Sequence, residues 1–114
     1  MIIERFEDIL AWRRAKELTV EIKAVFRNCR DSDYYKQIWR ASISIMNNIA
    51  EGYERRTNKE LVQFLYIAKG SCGEVRSMLS LAVTQSYLSQ EEYSRLSTTA
   101  IEISKMLSGF IKKL

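Results

Sequence analysis

Apolar residues recur along nearly the whole chain in steps of three and four, the repeat of one face of an α-helix. Ala11, Ala15, Leu18, Ile22 and Val25 form the first such series, flanked by Trp12 and Phe26. It predicts a helix over about residues 7–28, with Glu7 and Asp8 at its positive end. Arg30-Asp31-Ser32 interrupts the pattern, and Ser32 is the expected N-cap of a second helix over about 33–54. That helix carries two apolar stripes. Ile38, Ser42, Ile45 and Ile49 make one; Trp39, Ile43, Met46, Ala50 and Tyr53 make another, rotated by roughly 100°. Thr57 to Glu60 has the form of a capping box opening a third helix over about 58–88, with Leu61, Leu65, Ala68, Cys72, Val75, Leu79 and Ala82 as its seam. Ser89 to Glu92 repeats the box before a fourth helix over about 90–113, whose seam is Leu96, Ala100, Ile103, Leu107, Phe110 and Leu114.

Proline is absent and the four glycines are scattered, so residues 1–114 read as one domain without a linker. Connections of a few residues force neighbouring helices antiparallel. The predicted fold is all-α, an up-down-up-down four-helix bundle. One helix of such a bundle needs one apolar stripe, and a surplus stripe marks a further contact. Trp39, Ile43, Met46 and Tyr53 are therefore the predicted homo-oligomer interface, unless both stripes are buried within one chain. Gly70, Ser71, Cys72 and Gly73 place two glycines in mid-helix, at a cost of about 1 kcal/mol each against alanine. Close approach of a neighbouring helix is the expected compensation, a tolerated weak spot the alternative. Asn48, between the apolar and charged faces with Gln37, Ala41, Ser44 and Gly52, either fixes register or bonds locally.

Hydrophobic residues at 46% and charged ones at 28% are ordinary for a soluble domain. No apolar run approaches the ~20 residues of a membrane span, and the opening MIIERFEDILAW lacks the form of a secretory signal; a cytoplasmic protein is expected. Histidine is absent, which removes the commonest general base and zinc ligand. Glu17 and Glu21, or Glu51 beside Arg55, read as surface charges rather than acid–base pairs. Cys72 reads as a small buried hydrophobe, and a Cys29–Cys72 bridge is disfavoured in a reducing compartment. No enzyme, cofactor or metal is predicted.

A net charge of +4 and a pI near 9.2 point to an anionic partner, although the excess is spread thinly. Arg55, Arg56 and Lys59 gather where the second helix ends and the third begins, around amides suited to phosphate, and Arg40 could extend the patch. Arg5, Arg13, Arg14 and Lys16 form a second group diluted by glutamates. No nucleic-acid motif and no aromatic platform interleaved with basic residues is visible, so binding to RNA or DNA is expected at the backbone.

The run Gln37 to Arg56, QIWRASISIMNNIAEGYERR, resembles the signature of the four-helix-bundle family encoded in intervening sequences of bacterial 23S ribosomal RNA genes. The likeness continues through Glu60–Ser71, Glu74-Val75 and Ile103–Ile111. Met46 stands where the family usually has a helix-kinking proline, and Trp39 where a basic residue is common. The resemblance implies pentameric barrels of four-helix bundles. It also implies kinship with accessory proteins that act beside the reverse transcriptase of diversity-generating retroelements and bind the polymerase and its RNA. Two functions follow: an oligomeric, non-enzymatic nucleic-acid-binding accessory, or a structural or protein-interaction module without nucleic acid.

Overall fold

Three chain reversals decide the architecture. The computed structural model describes residues 3–114, with a short 3-10 turn at Phe6–Asp8 before α1 (Leu10–Val25), α2 (Ser32–Tyr53), α3 (Asn58–Thr84) and α4 (Gln90–Lys112). The 27 residues of α3 span about 40 Å at the helical rise, close to the 43 Å long axis of the molecule. The helices therefore run along that axis, and each short connection reverses direction. Each helix packs on the next, α4 closes back on α1, and among the described residues no Cα atoms of the diagonal pairs come within 8 Å. This is the predicted all-α bundle.

The helix ends differ from the periodicity for local reasons. Ile9 is extended (φ −75°, ψ 120°) and buried, so α1 starts at Leu10 rather than near Glu7. The break lets the Phe6 ring meet Trp12 edge-on at 5.2 Å. Glu7 and Asp8 stay in the preceding turn, where Asp8 pairs with Arg5 at 3.4 Å and Arg13 at 3.5 Å. At its other end α1 stops at Val25, with buried Phe26 as its C-cap. The cap of α2 is Asp31, not Ser32: its carboxylate accepts from the Tyr34 amide at 3.1 Å. The Thr57 box is half-formed. Its hydroxyl accepts from the Glu60 amide at 3.2 Å but donates to the Glu60 carboxylate, which does not return to the Thr57 amide. The Ser89–Glu92 box is complete. Helix α3 ends at Thr84 rather than 88 because Ser86 turns left-handed (φ 60°). The Ser86 amide then reaches the Val83 carbonyl at 3.1 Å and the Tyr87 amide the Ala82 carbonyl at 2.8 Å, a paired closure of helix carbonyls usually made around glycine.

The seams meet in one core of Leu18, Ile22, Ile38, Ile45, Ile49, Leu65, Val75, Leu79, Leu96, Ile103 and Leu107, all fully buried. Leu114, expected in the fourth seam, lies beyond α4 and is exposed. The glycine expectation is overturned. Gly70 and Gly73 are exposed, and a Cβ on either would meet nothing within 4 Å. The close approach is at Gly52 of α2, where a Cβ would lie 2.8 Å from Phe64 Cβ and 3.0 Å from Leu61 Cδ1 on α3. Beside it runs a small polar ladder. The Asn48 side-chain amide donates to the Ser44 carbonyl at 2.8 Å and hydroxyl at 2.9 Å, and the Ser44 and Ser71 hydroxyls share a bond of 2.8 Å across α2 and α3. Asn48 thus bonds locally, and Ser44 carries the link to the neighbouring helix.

One end of the bundle is tied by tyrosines. Buried Tyr34 donates its hydroxyl to the Met78 carbonyl at 2.6 Å, and Tyr87, from the α3–α4 connection, donates to the Asp31 carboxylate at 2.5 Å. Burial pushes the Tyr34 phenol well up, and the Tyr87 bond holds the Asp31 carboxyl below the usual carboxylate range. Cys29 and Cys72 are both free thiols. Cys72 is buried in the core, which pushes its thiol up to about 12.

Candidate nucleic-acid interface

The cations grouped by the sequence differ in how much charge they leave free. At the α2–α3 connection, Arg55 pairs with Glu51 at 2.9 Å and lies over the Phe64 ring at 4.8 Å. Arg56 and Lys59 are exposed. The amides opening α3, expected to cradle a phosphate, already have Glu60 in their first turn, bonded to Thr57. A carboxylate there meets the need that an anion would meet. Arg40 is exposed on α2 but fifteen residues before Arg55, about 22 Å along the helix, so it does not join this patch. The second predicted group is largely spent. Arg5 and Arg13 share Asp8, Arg14 pairs with Glu17 at 2.8 Å and Glu102 at 2.7 Å, and Lys16 lies over the Trp12 ring at 5.5 Å. Both carboxylates raise the affinity of Arg14 for its proton, the bond that Arg14 donates to Glu102 most.

A stronger site lies on the outer surface between α3 and α4. Lys69 and Arg76 from α3, with Lys105 and Lys112 from α4, line an open groove of about 520 Å³ together with Ser104 and Ser108. In each helix the two cations are seven residues apart, two turns and about 10 Å, so they share a face. No carboxylate lines the groove. Nor does any of the four cations make an ion pair among the described residues, where Arg5, Arg13, Arg14, Arg55 and Arg95 do. The acids of these helices are drawn to other neighbours: Glu74 accepts from Gln37 of α2 at 3.2 Å, and Glu102 pairs with Arg14 of α1. Four like charges are held along one wall with hydroxyl donors between them. The seven-residue spacings are visible in the sequence, but which helix faces cooperate depends on the bundle.

The stripe assigned to an oligomer interface divides. Met46 and Tyr53 pack against the core of their own chain, and the Tyr53 hydroxyl donates to the Ile3 carbonyl at 2.5 Å. Trp39 and Ile43 are half-buried and lie outside that core. Trp39 stacks with Tyr35 (centroids 6.3 Å apart, planes at 22°) and has the Lys23 ammonium 5.7 Å from its ring centre. The sequence predicted no aromatic surface interleaved with basic residues. The structure builds one because Lys23 comes from α1, sixteen residues earlier.

Among the described residues no helix is long and apolar enough to cross a membrane, and no cluster of cysteine, aspartate and glutamate could hold a metal ion. No curated protein matches the chain. A solved structure of similar fold is a protein of unknown function from the S23 ribosomal protein family of Bacteroides thetaiotaomicron VPI-5482, 25% identical, with a TM-score of 0.84 over 90% of this chain and 96% of that one. The model of the 23S rRNA-intervening sequence proteins matches residues 7–109. A match over nearly the whole bundle, from the turn before α1 to the last turns of α4, makes this chain a member of the 23S rRNA-intervening sequence protein family.

Proposed function

We propose that this protein is a non-enzymatic, nucleic-acid-binding member of its family that holds the phosphate backbone of RNA or DNA. The observation that carries the reading is the groove of Lys69, Arg76, Lys105 and Lys112, free of carboxylates and of internal ion pairs. Unpaired cations attract polyanions and release their counterions on binding, and this term is indifferent to sequence. Arg40, Arg56 and Lys59 are exposed on other faces and would widen the field that steers encounter. Copies joined in an oligomer would repeat the groove and raise avidity. An accessory role beside a reverse transcriptase fits a surface that grips backbone without reading bases.

The test is the salt dependence of binding to a duplex and to an unpaired strand. Changing Lys69, Arg76, Lys105 and Lys112 to alanine together should flatten the slope of log affinity against log salt by about 3, at 0.7–0.9 per contact. An unchanged slope removes the groove from the reading. A loss seen only when Arg55, Arg56 and Lys59 are changed puts the site at the α2–α3 connection.

A second reading is a protein-interaction module. It is favoured by Trp39 and Ile43, which their own chain leaves only half-covered.

A further inference from the structure

The face shared by α1 and α2 differs from the α3–α4 groove in having rings. Val20, Lys23 and Ala24 of α1, Arg27 just past its C-cap and Tyr35 of α2 line a shallow depression of about 480 Å³. Trp39 stacks on Tyr35 one turn further along α2. Val20 is 61% exposed at the edge of this depression. Lys36 and Arg40 each follow a ring by one residue on α2, which sets them to one side of the stack, while Lys23 and Arg27 rise on the other. None of these four cations makes an ion pair among the described residues, and no carboxylate lines the depression.

We propose that Trp39, braced by Tyr35, which packs against the core, forms a stacking site for the unpaired bases of a single-stranded nucleic acid, with Lys23, Arg27, Lys36 and Arg40 holding the flanking phosphates. The proposal rests on the nucleic-acid reading above and narrows it to strands with free bases. Every base has a π-face, so an aromatic shelf flanked by cations binds single strands with little regard to sequence. A duplex hides those faces. Lys23 now covers the Trp39 ring from a flexible stem; an arriving base takes its place while the ammonium turns to a phosphate.

A second copy is the competing occupant; in a twofold contact the charges disfavour it, and a ring contact, which brings a different patch to this face, is told apart by the oligomer arm of the test below. A twofold contact repeats the same patch on both sides. It would set Lys23, Arg27, Lys36 and Arg40 against their own images with no carboxylate in the depression to separate them. The apolar band is also short, because Met46 and Tyr53 are already taken up by their own chain.

The experiment uses the full chain carrying Trp12→Phe, which leaves Trp39 as its sole tryptophan. Short oligothymidylate and oligouridylate are titrated in parallel with a blunt duplex, while tryptophan fluorescence and light scattering are followed. Both single strands should quench Trp39, and the duplex should bind without quenching. Trp39→Leu keeps an apolar side chain but no π-face. It should weaken single-strand binding roughly five- to hundred-fold, leave duplex binding and the salt slope unchanged, and be largely rescued by Trp39→Phe. Binding of single strands without quenching, or equal losses for strand and duplex, overturns the stacking site but leaves the backbone reading intact. An oligomer dissociated by Trp39→Glu, with unchanged single-strand affinity in Trp39→Leu, assigns the face to a second copy. Failure of the protein to bind any nucleic acid at low salt overturns both readings.

Discussion

Helix α3 meets its two neighbours in opposite ways. Toward α2 it is tight: Leu61 and Phe64 close on Gly52, and Ser71 bonds Ser44 across the seam. Toward the outer side of α4 it is open, lined by lysine, arginine and serine, and on its exposed surface Gly70 and Gly73 stand in free space. The glycine that shapes the structure is single and lies on the partner helix, whereas the eye-catching pair on α3 touches nothing. Small residues permit close approach but do not cause it. What causes it is a bulky neighbour seated opposite the gap.

The comparison can be broken most sharply at Gly52. Alanine there puts a methyl 2.8 Å from Phe64 Cβ and 3.3 Å from the Leu61 carbonyl oxygen. Overpacking of this kind costs about 1–3 kcal/mol and is partly offset by the gain of about 1 kcal/mol in helix propensity. The expected net loss is up to about 2 kcal/mol, read as a lower urea midpoint with unchanged slope. Raised stability would mean that α2 and α3 separate more easily than the seam implies.

On the open side the same substitution should act in reverse. Gly70→Ala and Gly73→Ala should each raise stability by up to about 1 kcal/mol, measured by thermal melts of the single and double variants. A loss would reveal an occupant that presses on this face in solution. Smaller still is the effect expected of the groove cations: changing Lys69, Arg76, Lys105 and Lys112 to alanine should leave stability within about 0.5 kcal/mol per site while weakening nucleic-acid binding. Falling stability and binding together would make these side chains structural.

The α2–α3 side is closed at its end by Asp31, whose carboxyl the Tyr87 hydroxyl and the Tyr34 amide hold below its ordinary range. A carboxyl with a depressed folded-state pKa stabilises the fold above its unfolded pKa, and that contribution is lost as the pH falls through the folded value. Stability should therefore decline on acidification below the ordinary carboxylate range, and Asp31→Asn should flatten that part of the profile. An identical decline in the variant would trace the acid sensitivity to other carboxyls.

The helices, their order and their core faces were legible because burial in a bundle imposes a repeat on each helix separately. Leu61, Leu65, Ala68, Cys72, Val75, Leu79 and Ala82 announce their seam without knowledge of any neighbour, and every one of them is buried. Helix ends were less legible. Ile9 leaves the helix to enter the core, Asp31 displaces Ser32 as cap, and Ser86 accepts a left-handed turn; such choices weigh local geometry against contacts from other parts of the chain. Cation grouping by sequence proximity favoured Arg55, Arg56 and Lys59, yet proximity along the chain also brought Glu51 and Glu60 within bonding distance of the residues of that turn.

By itself, then, the sequence determined an all-α bundle of four antiparallel helices, most of its core residues and its family, since all of these follow from periodic burial and from a signature running through α2 and α3. Only the tertiary structure decided which charges stay free. Lys69, Arg76, Lys105 and Lys112 share a groove because α3 and α4 are neighbours and because Glu74 and Glu102 turn to α2 and α1. Tyr35, Trp39 and Lys23 share a face because α1 lies beside α2. A free charge or an open ring is defined by what does not pack against it, and that is a property of the assembled surface, which no single stretch of sequence contains.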